Sequence, residues 1–370
     1  MVSTIHYVPI LRWKQAERFA LRHLHEKDRG RIIPLIEITP KSFDAPKTGK
    51  KEGKKPDPGQ VLEDEAKELL VNWQYAPFFL DLHLIDGLIP AIGGVHHALV
   101  HIAETARRFK LHLIPVIGVN RTDEYKSAVS RVAHMDGRGI CLRLLATEVL
   151  KPRFAQKLRA VLRNIKLDKN NVDLMLDYQR FDPQNPDLKT LLAKIPDLSR
   201  WRSFIVACGA FPQDLQKCEK GSNRIPRNDW RTWKSQFVDE TSIQRRPSFS
   251  DYANQYGLYK EPVENCNPSA SIRYTLEDEW LVMRGEAPRG KVTSEKAERR
   301  PGREQYNAHA QLLCEDTEIF YGQDFSWGDD FIYKRSVNKE DHGSPEIWLR
   351  AGINHHMTVV SRQIANLAGP

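Results

Sequence analysis

One motif recurs along the first 252 residues: a short, continuous apolar run followed by a stretch with helical periodicity. The runs are His6–Leu11, Arg31–Ile38, Pro77–Ile85, Leu111–Val119, Gly139–Leu145, Val172–Tyr178 and Ser203–Gly209, with a weaker eighth at Pro247–Tyr252. They are rich in Val, Ile, Leu and Phe and do not alternate with polar residues, the pattern of strands covered on both faces in a parallel sheet. Between them, one helical face carries Leu62, Ala66, Leu69, Leu70 and Trp73; a second carries Val95, Leu99, Ile102 and Ala106; a third carries Phe154, Leu158, Val161, Leu162 and Ile165. Residues 14–27, 122–135, 187–198 and 228–240 fill the other gaps. Eight strands alternating with helices over about 250 residues predict an α/β fold, a (β/α)8 TIM-type barrel. A doubly wound open sheet is the rival, but no Gly-rich phosphate turn follows an early strand.

After residue 252 the pattern changes. Residues 269–286 alternate around Glu277–Asp278–Glu279 and predict a β-hairpin. Residues 287–303 are basic and punctuated by Pro and Gly, which predicts a loop. Helices are expected over 303–315 and 347–367, the latter with Ile353, Met357, Val360, Ile364 and Leu367 on one stripe, and aromatic strand-and-turn structure over 318–333. The expected organisation is a barrel body over 1–252 and a C-terminal elaboration of the last βα unit over 253–370, ending in a helix that closes the barrel.

Composition narrows the function classes. With 40% hydrophobic and 28% charged residues, the chain reads as folded rather than disordered. No apolar run approaches the roughly 18 residues of a membrane helix, and residues 1–12 do not read as a signal peptide. The five cysteines are scattered, without a CxxC pair, so a cytoplasmic protein without disulfides or a structural zinc is expected. The net charge of +8 is concentrated: residues 41–55 and residues 284–303 each carry a net +4. Such stretches suit an anionic partner, or simply a solvated loop.

Charges inside the apolar runs mark the candidate site. Glu37, Asp81, Arg143, Asp177 and Asp251 lie within or near the ends of their runs, and Lys14 follows the first. Charged side chains are costly to bury unless paired or used, and the carboxyl ends of barrel strands form the active-site mouth. Period-two alternation puts Asp81 with His83, Asp177 with Gln179, and Cys141 with Arg143 on shared faces. One ring could gather Lys14, Glu37, Asp81, His83, Arg143, Asp177 and Asp251. Carboxylates beside a histidine suit a divalent ion such as Mg²⁺ or Mn²⁺, with Lys14 and Arg143 on a phosphate. Two carboxylates alone would suit glycosyl chemistry, and a buried ion-pair ring without chemistry is the plain alternative. Both basic stretches fall in loops expected on the same rim, which favours a nucleotide or nucleic acid.

Other residues carry less. His97 and His101 have i, i+4 spacing, but Ala98 stands where a zinc-protease helix has its glutamate. His355 and His356 fit helix packing, and Trp13 fits either base stacking or the core. Cys208 has no nearby histidine to activate it.

The segments YVPILRWK (residues 7–14), PLIEI (34–38), SIRYTLEDEWLVMRGE (271–286), FSWGDDFI (325–332) and WLRAGINHHM (348–357) together resemble the phage "beta protein" family. The resemblance spans nearly the whole chain, with its specific motifs at the two ends. It implies a place in phage–host conflict, as defence or counter-defence, and carries over no catalytic residue. The combined expectation is a cytoplasmic barrel protein that binds a phosphate-bearing ligand at the mouth and acts on it as a metal-dependent phosphoester hydrolase. In that scheme Glu37, Asp81 and Asp177 hold a metal or act as base, and Lys14, His83, Arg143 and Asp251 bind the ligand. The alternative is a non-catalytic scaffold that docks a partner protein, such as a nuclease or toxin, through Trp280, Phe325, Trp327, Phe331 and Trp348.

Overall fold

The computed structural model describes residues 6–45, 47–48, 51–74, 76–89, 91–92, 96–239, 245–261, 266–288, 301–338 and 340–367. Most of the basic stretch expected over 287–303 lies outside the described residues, as do residues 46, 49 and 50 of the other one.

Strands follow in chain order: β1 (Tyr7–Arg12), β2 (Leu35–Glu37), the two-residue pair β3 (Lys47–Thr48) and β4 (Lys51–Glu52), β5 (Phe78–Asp81), β6 (Leu113–Ile117), β7 (Ile140–Leu145), β8 (Val172–Arg180), β9 (Ser203–Gly209), β10 (Gly221–Pro226), β11 (Ser248–Asp251), β12 (Ser271–Thr275) and β13 (Glu279–Arg284). Eight of them, one from each apolar run, close into a barrel in the order β1-β11-β9-β8-β7-β6-β5-β2. β1 joins the ends, parallel to β11 through Tyr7↔Phe249 and to β2 through Leu35↔Ile10. The fold is a (β/α)8 barrel. The runs are continuous because one strand face fills the interior and the other is covered by helices, so Ile36, Leu80, Val116, Leu142, Leu174 and Ile205 are all buried.

The helices cover this sheet with the faces their periodicity marks. Pro58–Asn72 buries Leu62, Ala66 and Leu69, and Phe154–Ile165 buries Phe154, Leu158, Val161 and Ile165. The helix after β5 begins at Ala98, with His97 outside it as the cap whose Nδ1 accepts from the backbone N of Leu99. The helix after β8 shortens to Leu188–Leu192, with Asp187 capping it.

By contact density the chain forms two compact units: residues 1–14, 32–208 and 233–251 make the barrel, and residues 15–31, 209–232 and 252–370 make the second. The segments after β1 and β9 therefore belong with the tail. In the second unit, β10, β13 and β12 form an antiparallel sheet whose β12–β13 hairpin matches the expected one. Its helices are Gln15–Arg22, Glu26–Arg29, Gln305–Glu315, Trp327–Val337 and Pro345–Leu367, with the first five residues of Asn228–Lys234.

Helix Trp327–Val337 replaces the strand-and-turn structure expected over 318–333. Aromatic richness reads as β propensity, but that preference yields to context. Here Ser326 Oγ accepts from Asp329 N at 3.1 Å, and Asp329 and Asp330 occupy the first turn, where the helix dipole favours carboxylates. Asp329 is then held by Tyr274 Oη at 2.7 Å and lies 2.8 Å from His355 Nδ1, whose Nε2 faces the Thr275 carbonyl at 2.9 Å. His355 thus packs within the fold, as its place on the last helix suggests.

No helix of the described residues is long and apolar enough to cross a membrane. The five cysteines form no disulfide.

Gly328 lets the two C-terminal helices meet, since a Cβ there would lie 2.3 Å from the Ala351 carbonyl oxygen. Gly328→Ala should therefore lower stability by about 1–3 kcal/mol, an overpacking cost. Urea unfolding followed by circular dichroism measures it, and an unchanged midpoint would contradict this packing.

Candidate functional site at the barrel mouth

Strand register builds the site. Glu37 ends β2 and stands opposite Arg12 of β1 on one side and Asp81 of β5 on the other. Asp177 of β8 stands opposite Leu145 of β7, and Arg143 lies two residues before Leu145 on the same face. All five side chains belong to the carboxyl halves of their strands, and all are buried.

Arg143 ties the carboxylates together. Its Nη1 donates to Glu37 Oε1 at 2.7 Å and to Asp81 Oδ2 at 3.0 Å. Its Nε donates to Asp177 Oδ2 at 2.9 Å, and its Nη2 lies 2.8 Å from the same oxygen. Arg121, just beyond β6, donates from Nη2 to Asp81 Oδ1 and Oδ2 at 3.0 and 3.3 Å. Arg12 Nε lies 3.8 Å from Glu37 Oε2. Three carboxylates thus face three guanidinium groups.

The two aspartates make the same local turn. Asp81 Oδ1 accepts from His83 N at 2.9 Å, and Asp177 Oδ1 accepts from Gln179 N at 2.7 Å. Gln179 takes a left-handed backbone, φ 62°, unusual outside glycine. Each turn brings the residue two positions past its aspartate to the mouth. His83 Nε2 lies 3.6 Å from Glu37 Oε1, and its Nδ1 lies 3.3 Å from Asp81 Oδ2 without the alignment of a hydrogen bond.

Electrostatics follow from this packing. Burial opposes ionisation of Asp81, yet Arg121, His83 and Arg143 outweigh it and hold the carboxyl far below its ordinary range. Glu37 is also buried, and the charges of His83, Arg143 and Arg12 overcome both that burial and the repulsion of Asp81 to lower it. Burial, with Asp81 nearby, pushes the Tyr125 hydroxyl well up. That ring is a shelf for Arg121, whose guanidinium carbon lies 5.3 Å from its centroid. Burial and Asp173 push the Cys141 thiol well up, so it is no nucleophile.

A pocket of about 110 Å³ opens over the network, lined by His83, Gly118, Asn120, Arg121, Arg143, Leu145, Glu148 and Gln179. Asn120 Nδ2 donates to Glu148 Oε1, and Asn120 Oδ1 accepts from Lys157 Nζ at 2.5 Å. Glu37, Asp81 and His83 each offer a ligand atom within 4.8 Å of the others. The fit for an ion is nonetheless poor, because Arg143 Nη1 already sits between Glu37 and Asp81, where a cation would bind.

Asp251, at the end of β11, accepts from Tyr7 Oη at 2.6 Å. Lys14 is half-buried just past β1, and its backbone N donates to Arg12 O at 2.5 Å. Trp13 is a core residue. His101 Nε2 meets the Gly59 carbonyl at 3.2 Å while His97 caps its helix, so the two do not form a metal pair. Three of the five aromatic anchors expected for docking are buried in the second unit: Trp280, Phe331 and Trp348. Trp348 stacks on Tyr306 with centroids 5.0 Å apart, so these aromatics serve the core instead of an exposed surface.

Sequence reasoning missed Arg12, Arg121, Asn120 and Glu148. Arg121 carried a usable signal, since it follows an apolar run by two residues. Arg12 carried another, at the end of the first run.

Residues 7–362 match the profile of the family described as Beta protein. The chain belongs to the Beta protein family. No curated protein matches it. Within this Beta protein family member, the motifs YVPILRWK and PLIEI supply Arg12 and Glu37, while Asp81, Arg121, Arg143 and Asp177 come from the span between the end motifs. All of them fall inside the matched residues.

Arg143→Met would leave three carboxylates buried without their shared partner. Loss of one side of a buried ion pair typically costs about 3–5 kcal/mol, so a fall of that size in unfolding free energy at pH 7 is expected. The lowered Glu37 and Asp81 also set a pH dependence. Their ionised forms stabilise the fold fully above their ordinary values of 4.5 and 3.8, and that contribution is lost as pH falls toward the depressed folded values. Urea midpoints at pH 7 and pH 3 test this, and equal midpoints would count against a charged network.

Proposed function

We propose that the barrel mouth binds a phosphate-bearing ligand, a nucleotide or nucleic acid, through Arg121 and Arg143. One observation carries the reading: both guanidinium groups line a single mouth pocket together with His83, Asn120 and Gln179, all able to donate hydrogen bonds. Glu148 is the one carboxylate among its described lining residues. At about 110 Å³ the pocket suits a phosphate group, and the remainder of a nucleotide would extend outward. Lys14 and Asp251 stay in the ligand-binding set to be tested.

Glu37, Asp81 and Asp177 have a supporting part in this reading. A carboxylate held far below neutrality is a weak base, so Asp81 serves to fix the arginines that bind the ligand. Mg²⁺ or Mn²⁺ would compete with Arg143 for the same oxygens. If the ligand is hydrolysed, His83 is the side chain placed to carry a proton, between Glu37 and Asp81 and open to the pocket. The cytoplasm and a phage–host setting complete the proposal; free cysteines support the first, and the resemblance carried by the end motifs supports the second.

Titration calorimetry with inorganic phosphate, pyrophosphate, nucleoside triphosphates and a short single-stranded oligonucleotide, each with and without Mg²⁺ or Mn²⁺, tests the reading. Binding of at least one is expected, weakened roughly 10–100-fold by Arg121→Ala, as for a charged hydrogen bond of about 1.5–3 kcal/mol. Failure of every probe to bind the wild type would falsify it.

A further inference from the structure

A second surface lies away from the mouth, on the outer helical layer of the barrel unit. Helices Pro58–Asn72, Ala98–Arg108, Asp123–Asp136 and Phe154–Ile165 pack side by side in chain order. The succession then breaks, because among the described residues no comparable packing joins Phe154–Ile165 to the next helix, Leu188–Leu192. The first spans roughly 18 Å and the second roughly 8 Å, at 1.5 Å per residue. The short helix therefore leaves part of the longer helix's flank facing the turn that follows it.

A groove of about 780 Å³ occupies that gap. Its apolar part is formed by Ala155, Leu158, Leu162, Ala193 and Pro196, and four cations line it: Arg159, Arg163, Lys169 and Lys194. No Asp or Glu is among its described lining residues. Lys169 is engaged, with Nζ 2.8 Å from Asp197 Oδ2 and over the Trp201 ring. Arg159, Arg163 and Lys194 are exposed and meet no carboxylate among the described residues. Arg159 Nε reaches only the Ala155 carbonyl of its own helix, at 3.1 Å.

From these features we infer that the groove docks an acidic amphipathic helix of a partner protein. The barrel sheet is closed and offers no strand edge beside the groove, and an apolar floor flanked by cations suits helix-in-groove docking. The groove runs between helix Phe154–Ile165 and the turn residues Ala193, Lys194 and Pro196 that follow the short helix, so one helical wall and an apolar floor are already in place. Apolar side chains spaced i, i+3, i+4 and i+7 on the partner would meet Leu158 and Leu162, and its flanking Glu or Asp residues would meet Arg159, Arg163 and Lys194. A nucleic-acid backbone would satisfy the cations but leave the apolar floor unused, so the helix is the better match.

The probes are three: a labelled helical peptide with a leucine stripe flanked by glutamates, the same peptide with lysines for the glutamates, and a labelled single-stranded 12-mer. Fluorescence anisotropy against the full chain reads their binding. Expected is micromolar binding of the acidic peptide, at least 10-fold tighter than that of the basic one. Arg159→Glu/Arg163→Glu should weaken it at least 10-fold, because both side chains are exposed and reversing them leaves the core intact; an unchanged circular dichroism spectrum and melting temperature check this. Equal binding of the two peptides, no binding of the acidic one, indifference to the double reversal, or preferential binding of the oligonucleotide at this groove would each overturn the inference. The mouth variant Arg121→Ala should leave peptide binding unchanged.

Discussion

Arg143 is the interaction on which the barrel mouth depends. Three strands bring a carboxylate each to one guanidinium group: β8, which pairs with β7, and the neighbouring pair β5 and β2, which lie two and three places from β7 on its other side. Such burial is tolerable because the charges meet at 2.7–3.0 Å, the remaining aspartate oxygens find Arg121 or a backbone N–H, and Arg12 lies beside the second oxygen of Glu37. The fan of donors on one planar group is what makes this possible. A lysine would present one compact charge and could not bridge three carboxylates in the same way.

The network is also the reason our proposal reads the mouth as an anion site rather than a metal site. A ring of acids seen alone suggests a divalent ion, and Glu37, Asp81 and His83 do lie close enough together to hold one. With Arg143 included, the interior is already balanced, and most of the polar groups that line the pocket are donors, Glu148 being the exception. Charge inventory therefore changes the chemical reading more than residue type does. The strained backbone at Gln179 belongs to the same design, since Asp177 holds that residue at the mouth while binding Arg143 with its other oxygen.

The second unit shows the opposite use of polar residues. Asp329, Tyr274, Ser326 and His355 are all buried, and each has a partner within the unit. A polar network of this kind, once satisfied, fixes a unique packing among helices that are not strongly amphipathic. This accounts for why FSWGDDFI misleads as sequence: its aromatics suggest a strand, while the cap and the carboxylate that decide the helix find partners in β12 and the last helix, far along the chain.

The barrel was legible from the sequence alone. Eight apolar runs, separated by helical stripes, admit few arrangements, because strands covered on both faces must be continuous in hydrophobicity and need crossover helices. The same logic pointed to Glu37, Asp81, Arg143 and Asp177, since a charge within such a run demands a partner. What the sequence could not supply was who pairs with whom. Register sets Arg12 beside Glu37, and only the closed sheet brings Arg143 within reach of residues 106, 62 and 34 positions away. The grouping of residues 15–31 and 209–232 with the tail was likewise a tertiary outcome. So were the burial of Trp280, Phe331 and Trp348 and the gap beside helix Phe154–Ile165. Local periodicity tells which face of an element is apolar; which other element covers it depends on contacts distant in sequence.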